Sequence, residues 1–205
     1  MKQKIKAIIK ASFIFPIYLW FRGFSNPLEK IKFYWEGFKH YMFNHILTHF
    51  PNHWLRLFYL RHALGIKIGK ECFIHMGCFF AGNNIFIGNN TVIGRNCYLG
   101  GGKLIIKNNV SITAQTYIFC STHLTNSPTF ECVSKDVTIE DYAWIGARAM
   151  IFPGVRIGNG SVLGAASIAT KNIPDYSVYA GSPAKEVGKR EKELIYKLRY
   201  FPCFQ

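Results

Sequence analysis

The sequence predicts a mainly β chain: a parallel β-helix flanked by an α-helical N-terminal region and a C-terminal helix. The first observation is a period of six residues. Between residues 68 and 163, single aliphatic residues follow one another at steps of six in nine of twelve cases, and Gly comes directly after seven of the thirteen. This period fits neither a 3.6-residue helix nor strands joined by hairpin turns. In a parallel β-helix, each hexad supplies one short strand and one tight corner.

The second observation is a column of small or β-branched residues, four positions after the aliphatic ones. Three cysteines fall in it, and because free Cys is so often buried, we interpret them as small core residues without a redox or metal role. The six cysteines contain no CxxC pair, so the sequence offers neither a zinc ribbon nor a thioredoxin-type motif. Cysteines that serve as buried core residues favour a reduced, cytoplasmic chain. The column consists of Cys72, Cys78, Thr91, Cys97, Val110, Thr116, Ala143, Ala149, Val155, Ser161 and Ser167.

The third observation is a change of composition near residue 63. Residues 1–62 carry ten Lys and Arg, two acids and five of the seven histidines, with Gly only at 23 and 37. We expect helices over 1–62, the β-helix over 63–184 with a protruding loop at 120–136, and the C-terminal helix over 185–205. Lysines interleaved with Ile5, Ile8 and Ile9 favour contact with an anionic membrane surface. A cap over the open end of the β-helix is the equal alternative, since repeat arrays need one.

The charge balance favours an anionic partner. The chain has 205 residues, 25 Lys and Arg against 11 Asp and Glu, and a net charge of +14. Nucleic acid, anionic lipid and an anionic small ligand all fit that excess. The basic residues are scattered and form no nucleic-acid motif, so we do not expect a nucleic-acid partner.

Neither a membrane-spanning helix nor a metal site is expected. The longest apolar run, Ala11–Phe21, has eleven residues and contains Pro16, against roughly 20 for a bilayer span. No small-residue cleavage site follows it, so we expect a cytoplasmic protein, with or without contact to the inner face of the membrane. His45, His49 and His53 stand at steps of four, but Pro51 interrupts the helix between them and no further ligand joins them.

The repeat breaks between Ile118 and Ile139, where residues 120–136 carry no repeat signature. Loops mounted on a rigid scaffold often carry function. His123 stands at the start of this loop, and histidine is the side chain best suited to proton transfer near neutral pH. From composition alone, a polar loop histidine bonded to a backbone carbonyl is the more common case.

An ordered run of motifs covers Asn109–Lys185. Its members are Ser121-Thr122-His123, Val137-Thr138-Ile139-Glu140-Asp141-Tyr142-Ala143-Trp144-Ile145-Gly146-Ala147, Pro153-Gly154-Val155-Arg156-Ile157-Gly158, Ala169-Thr170-Lys171-Asn172-Ile173-Pro174 and Ala180-Gly181-Ser182-Pro183-Ala184-Lys185. With the hexads, this run resembles the hexapeptide-repeat acyltransferases over about residues 64–188. The resemblance is nearest to galactoside, maltose, nodulation-factor and polysaccharide O-acetyltransferases.

That resemblance implies a left-handed β-helix, assembled as a homotrimer with acetyl-CoA in the groove between neighbouring subunits. It implies that His123 is the general base, which takes a proton from an acceptor hydroxyl as the oxygen attacks the thioester. In the family, a backbone N–H in the coil that follows Trp-Ile-Gly donates a hydrogen bond to the oxyanion. The matching position in this sequence is Ala147. No metal is implied.

The resemblance also assigns residues to acetyl-CoA. Trp144 would pack beside the pantetheine arm or the acceptor, although an aromatic ring covering a coil edge is the plainer alternative. Ala165, Thr170 and Lys171 match positions that contact CoA, and Lys171 is equally plausible as a solvated corner. Gly188 is followed by Lys189 and Arg190, where we expect a shifted contact with the CoA phosphates.

The acceptor site departs from the family pattern. Sugar acetyltransferases of this group hold acceptor hydroxyls with an acid, but no Asp or Glu occurs between Glu71 and Glu131. We therefore expect His75, Arg95 and Asn96 to bind the acceptor. An anionic saccharide is favoured, and a neutral sugar stays open. For His75, a structural role is favoured over a catalytic one, because the sequence shows no partner for it.

The leading hypothesis is an acetyl-CoA-dependent O-acetyltransferase acting on a saccharide, in the biosynthesis of a cell-surface polysaccharide. A drug-modifying acetyltransferase of the same superfamily is the first alternative, since the motifs overlap. A non-catalytic β-helix scaffold is the alternative of another class. A carbonic anhydrase of the β-helix type needs three histidines on the solenoid, and only His75 and His123 lie there.

Overall fold

A computed structural model describes residues 27–200 of the chain. The chain divides into two compact units, residues 1–39 and 40–205. Helix α1 spans Pro27–His45, a 3-10 turn spans Leu47–His49, and helix α2 spans His53–His62. Asn52 caps α2, because its side chain accepts a hydrogen bond from the backbone N–H of Leu55 at 3.0 Å. No helix within residues 27–200 is long and apolar enough to cross a bilayer.

Three parallel sheets, here called walls A, B and C, form the solenoid. Wall A consists of β1 (Lys67–Ile68), β4 (Ile85–Ile87), β7 (Leu104–Ile106), β12 (Val137–Ile139) and β15 (Arg156–Ile157). Wall B consists of β2 (Phe73–Ile74), β5 (Val92–Ile93), β8 (Ser111–Ile112), β13 (Trp144–Ile145), β16 (Val162–Leu163), β18 (Ser177–Gly181) and β19 (Ala184–Lys189). Wall C consists of β3 (Phe79–Ala81), β6 (Tyr98–Gly100), β9 (Tyr117–Phe119), β14 (Met150–Ile151) and β17 (Ile168–Ala169). The remaining strands, β10 (Ser121–His123) and β11 (Cys132–Ser134), pair with each other alone.

The predicted interior column is confirmed. Ile68 pairs with Ile87, and Ile112 with Ile145, so aliphatic residues of successive coils stack upon one another. Ile87, Ile112 and Ile145 are almost fully buried in one continuous core, and Ile68 is partly buried against it. In most strands the aliphatic residue is therefore buried and its immediate neighbours are more exposed. Phe73 and Val162 differ, because they are buried as well. The hand of the coil stays a prediction from the resemblance.

The small column is also confirmed at its cysteines. Cys72, Cys78 and Cys97 are buried free thiols, and each donates to a backbone oxygen of the next coil. Burial raises the pKa of the Cys72 thiol, which keeps it in the unreactive protonated form. These residues fill the converging corners, as their size predicted.

The segment from residue 40 to residue 62 covers the first coil. Phe43, Leu57 and Leu60 join the same buried core as the β-helix. The Arg56 guanidinium is buried and donates to the carbonyl oxygens of Phe50 and Ile74. This segment therefore serves as a cap, one of the two roles expected for it. The amphipathic start at residues 2–10 lies outside the described residues.

The predicted C-terminal helix is wrong. Residues 184–189 form β19, antiparallel to β18, and residues 190–200 have no regular secondary structure. We call residues 190–200 the corner strap, because they cross the coils along the corner between walls A and B. Hydrogen bonds to distant residues hold the corner strap in place. The Leu198 carbonyl accepts from the Asn90 side-chain amide, and the Leu198 N–H donates to the Asn109 side-chain oxygen. Asn90 and Asn109 lie about 90 to 110 residues earlier in the chain. These contacts replace the intrahelical bonds of a helix.

A glycine pair tests the solenoid geometry. A Cβ at Gly94 would lie 2.4 Å from the backbone nitrogen of Ala114 in the next coil, whereas a Cβ at Gly37 in α1 would meet nothing within 4 Å. We expect Gly94→Ala to lower the free energy of unfolding by about 1–3 kcal/mol or more. Gly37→Ala should leave it unchanged or raise it by up to about 1 kcal/mol. Denaturant unfolding measures both, and equal effects would contradict the close stacking.

Candidate active site

The protruding loop leaves the solenoid as a β-hairpin. Ser121 pairs with Ser134 and His123 with Cys132, so His123 is the last residue of the first hairpin strand, three residues after Cys120. The insertion is closed at its base by the backbone N–H of Lys135, which donates to the Cys120 carbonyl at 2.9 Å. A side chain on a paired strand is held more firmly than one in an open loop. His123 thus lies at the root of the loop, as expected, and the structure adds that it is exposed.

Phe130 fixes the ring of His123. The two rings stack at 4.1 Å with an interplanar angle of 7°, and His123 Nδ1 lies 2.9 Å from the Phe130 carbonyl oxygen. A carbonyl can only accept, so Nδ1 must carry the proton of this hydrogen bond. In the neutral imidazole, Nε2 then has the free lone pair. His123 is thus arranged as a base whose Nε2 can take a proton.

The corner between walls B and C carries the predicted oxyanion donor. Ala147 follows β13 at this corner, and its carbonyl accepts from the backbone N–H of Ala166 in the next coil. No acceptor within residues 27–200 contacts the Ala147 N–H. The group is therefore available to a ligand. Trp144 precedes it, half exposed, with its indole N–H donating to the Thr113 hydroxyl at 3.3 Å.

The residues expected to bind CoA do not form one cluster within the chain. Ala165 is exposed at corner B/C, one coil beyond Ala147, whereas Thr170 and Lys171 follow β17 at the corner between walls C and A. Lys189 pairs with Glu186. Arg190 lies at corner A/B, where its guanidinium donates to the carbonyl oxygens of Tyr142 and Gly160. This engagement gives Arg190 a structural role in anchoring the corner strap.

The residues expected to bind the acceptor do come together. A cleft of about 190 Å³ is lined by His49, His75, Met76, Gly77, Arg95 and Asn96. It lies at corner B/C of the first two coils, in line with Ala147 along the solenoid. Burial, followed by the charges of Arg95 and Arg56, lowers the pKa of His75, so this imidazole is neutral near pH 7.

Neighbouring aromatic groups hold His75 in place. Its ring lies 4.9 Å from Phe73 and 5.3 Å from Tyr200 of the corner strap. His53 stacks on the other side of Phe73 at 4.2 Å, and burial lowers the pKa of His53 to about 4. No group of three or more metal-ligating side chains occurs within residues 27–200.

Sequence reasoning missed two contributors to these sites. His49 reaches the cleft because the 3-10 turn folds against the first coil, and no local pattern encodes that contact. The Phe130 carbonyl is a backbone group without a sequence signature. Reading residues 121–134 as a hairpin, by pairing the alternating residues on both sides of Ser127-Pro128, could have placed Phe130 near His123.

His123 and Ala147 lie at different corners of the coil. The hairpin leaves at corner C/A, where a Cβ on Gly154 would lie within 3.3 Å of Lys135. Ala147 occupies corner B/C, at the other end of wall C. At about 3.3 Å per strand residue, that wall spans roughly 15 Å. Within residues 27–200 of one chain, no contact joins His123 to Ala147.

The outer face of wall C is apolar. Phe79 stacks on Tyr98 at 5.4 Å, Tyr98 stacks on Tyr117 at 6.3 Å, and Tyr117 and Phe152 are about two-fifths exposed. The outer side of wall A, by contrast, carries ion pairs of Glu140 with Lys107 and Arg156. Contiguous exposed aromatic surface on a soluble domain typically marks a contact with another molecule.

A family model described as the hexapeptide repeat of succinyl-transferase matches residues 136–170. A galactoside O-acetyltransferase from Lactococcus lactis is 36% identical over 136 residues, which cover 57% of this chain and 59% of the relative. A chloramphenicol acetyltransferase from Morganella morganii is 47% identical over 55 residues, which cover 27% of this chain and 26% of the relative. The matched part of the chain thus spans less than two thirds of the length of these curated relatives.

Solved structures match over more of the chain. A maltose O-acetyltransferase from Clostridium difficile 630 has a TM-score of 0.70 and 26% identity, covering 82% of this chain and 90% of that structure. A galactoside acetyltransferase in complex with coenzyme A has a TM-score of 0.62 and 26% identity, covering 82% and 86%. Together with the six-residue period and the three-walled coil, these matches confirm the resemblance. The chain is therefore similar, in repeat pattern and in fold, to the hexapeptide-repeat acyltransferases.

Proposed function

We propose that the protein is an acetyl-CoA-dependent O-acetyltransferase that modifies a hydroxyl of a saccharide, in the biosynthesis of a cell-surface polysaccharide. The observation that carries this proposal is His123, with Nδ1 bonded to the Phe130 carbonyl and Nε2 left with its lone pair. The named O-acetyltransferases among the similar proteins support the reaction type, and the galactoside acetyltransferase with coenzyme A supports the acyl donor.

The reaction would be a direct transfer. Nε2 of His123 takes the proton of the acceptor hydroxyl as the oxygen attacks the thioester carbonyl of acetyl-CoA. The negative charge that develops on the carbonyl oxygen is stabilised by the Ala147 N–H. The tetrahedral intermediate then expels the CoA thiolate, which recovers the proton from the imidazolium. Ester and thiol are the products, and no acyl-enzyme forms.

Removal of the base tests the mechanism. We expect His123→Ala to lower turnover by about 10²- to 10⁴-fold, the usual contribution of a general base. Acetyl-CoA consumption is measured as free thiol, across neutral, amino and acidic sugars, nucleotide-sugars and chloramphenicol. Because the contacts of the His123 side chain within residues 27–200 are with Phe130 of the hairpin, binding of CoA and the melting temperature should stay at the wild-type values.

The outcomes separate the candidate functions. Full turnover in His123→Ala would contradict the mechanism. Turnover of chloramphenicol alone would favour the drug-modifying alternative, which the partial match to the chloramphenicol acetyltransferase supports. A wild type that binds no CoA would favour a non-catalytic scaffold.

We propose further that the working unit is a homotrimer with each site shared by two subunits. The support is the separation of His123 and Ala147 by the length of wall C, and the exposed aromatic face that this wall presents. A neighbouring copy that packs near this wall would cover the aromatic residues. It would bring the His123 hairpin of one subunit towards corner B/C of the next.

Subunit mixing tests the shared site. His123→Ala and Ala147→Pro, which removes the N–H, should each be inactive. Co-expression should restore roughly a quarter of wild-type activity, because three quarters of random trimers are mixed and each mixed trimer has one intact site in three. Sedimentation checks that both variants stay trimeric. No recovery in the mixture would place both residues in a site within one chain.

We also propose that the N-terminal region contacts the inner, anionic face of the membrane. Helix α2 turns Trp54, Leu55 and Phe58 outward, with Trp54 74% exposed. Arg61 and His62 line the same surface. Outward aromatic residues beside basic ones are typical of a helix that lies in the membrane interface.

Lipid vesicles test this contact. Wild-type protein should sediment with phosphatidylglycerol vesicles more than with phosphatidylcholine vesicles, and the double variant Trp54→Ala, Phe58→Ala should bind several-fold less. Phe86→Ala, which removes a partly exposed ring from wall A, is the matched control. If the double variant binds like the wild type, α2 is not the contact surface.

A further inference from the structure

The cleft at corner B/C carries a positive charge that no acid balances. Arg95 is exposed, and no side chain within residues 27–200 forms an ion pair with it. The nearest acid in the preceding sequence, Glu71, is bonded by the Asn90 amide and lies 3.4 Å from the Arg199 guanidinium. Residues 72–130 contain no other Asp or Glu. An uncompensated guanidinium beside a cavity is a natural partner for a carboxylate or phosphate.

The remaining lining groups add polar atoms without adding negative charge. The Asn96 amide and the exposed His49 ring line the cleft, and neither forms a hydrogen bond with another side chain in the described part of the chain. His75 Nδ1 is buried and has no partner in the described part of the chain. The cleft therefore offers one fixed cation and several groups able to donate hydrogen bonds, within a volume of about 190 Å³. That volume suits one anionic group with part of a sugar ring.

The position of the cleft sets a distance to the reaction centre. Backbone hydrogen bonds connect successive coils along corner B/C. The N–H of Gln115 donates to the carbonyl of Arg95, and the N–H of Arg148 donates to the carbonyl of Ala114. Arg95 lies two coils before Ala147, and His75 lies three coils before it. With about 4.8 Å between neighbouring strands, the cleft is roughly 10–15 Å from the Ala147 N–H. Ala165 lies on the opposite side, one coil beyond Ala147.

We propose that this cleft binds a carboxylate or phosphate of the acceptor, at roughly 10–15 Å from the hydroxyl that is acetylated. This rests on the proposed function, since the distance is counted from the oxyanion donor. Arg95 makes the charged contact, and His75, His49 and Asn96 complete it. The acceptor is then an anionic oligosaccharide or a sugar linked to phosphate, and a single neutral sugar is too short to reach both points.

Binding measured without acetyl-CoA tests the cleft independently of catalysis. The probes are a disaccharide ending in glucuronic acid and a disaccharide 1-phosphate, each beside its neutral parent sugar, followed by NMR titration. Wild type should bind at least one charged probe about tenfold more tightly than the neutral sugar. Arg95→Ala should weaken that binding about tenfold or more, the usual effect of losing a hydrogen-bonded charge. Which probe depends on Arg95 distinguishes a carboxylate from a phosphate.

Two variants control the charge. Arg95→Lys keeps the charge but loses the paired donors, so its affinity should lie between those of wild type and Arg95→Ala. Lys70→Ala removes one positive charge from the first coil at corner A/B, and it should bind like the wild type. Equal affinity for charged and neutral sugars, or equal weakening by Lys70→Ala, overturns the proposal.

Turnover separates this proposal from the proposed function. In the thiol assay, Arg95→Ala should raise KM for the charged acceptor about tenfold while leaving KM for acetyl-CoA unchanged. If the charged probes bind through Arg95 but no variant acetylates any sugar, the O-acetyltransferase assignment fails and the anion site stands. If neutral monosaccharides are acetylated with the same kcat/KM by wild type and Arg95→Ala, and charged acceptors no better, the anion site fails and the enzyme stands.

Discussion

The fixed spacing of parallel coils is the constraint on which the rest of the structure depends. Backbone N–H groups of one coil donate to carbonyls of the next, as in the pairs Phe73 to Thr91 and Val92 to Val110. Because this ladder allows no slip between coils, every residue at a given hexad position lies in one column. Aliphatic columns become the core, and corner columns become straight rows of chemical groups. The alignment of Arg95 with Ala147 and Ala165 follows from this repetition.

The insertion after wall C keeps that register. The chain leaves at Cys120 and returns at Val137, and Ile139 still pairs with Ile106 of the coil before the loop. The ladder is therefore continuous beneath the hairpin, and the hairpin stands on a rigid base. Within it, strand pairing and the Phe130 carbonyl hold His123 by two independent contacts. As the proposed base, His123 would lose little freedom when an acceptor binds, because it already keeps one tautomer and one orientation.

Features that repeat could be predicted from the sequence, and features that depend on one distant contact could not. The positions of Ile118 and Gly94 in the coil could be predicted, because equivalent residues recur every six positions. His123 is singled out by a break in that recurrence. The corner strap has a local pattern typical of a helix, yet Arg190 and Leu198 bond residues 30 to 108 positions away, and those bonds decide its conformation. Similarly, His49 enters the cleft only because α2 and the turn before it fold against the first coil.

The few acids are placed where they leave one corner positive. Glu140 and Asp175 form ion pairs with Lys107 and Arg156 near wall A, and Glu71 lies beside the corner strap. Corner B/C has no acid in any coil from residue 75 to residue 167, while it carries Arg95 and Arg148. Charges of one sign along a groove raise the local concentration of ligands of the other sign. Corner B/C would thus attract both the CoA phosphates and an anionic acceptor. The two ligands would bind towards opposite ends of this corner, with the Ala147 N–H between them.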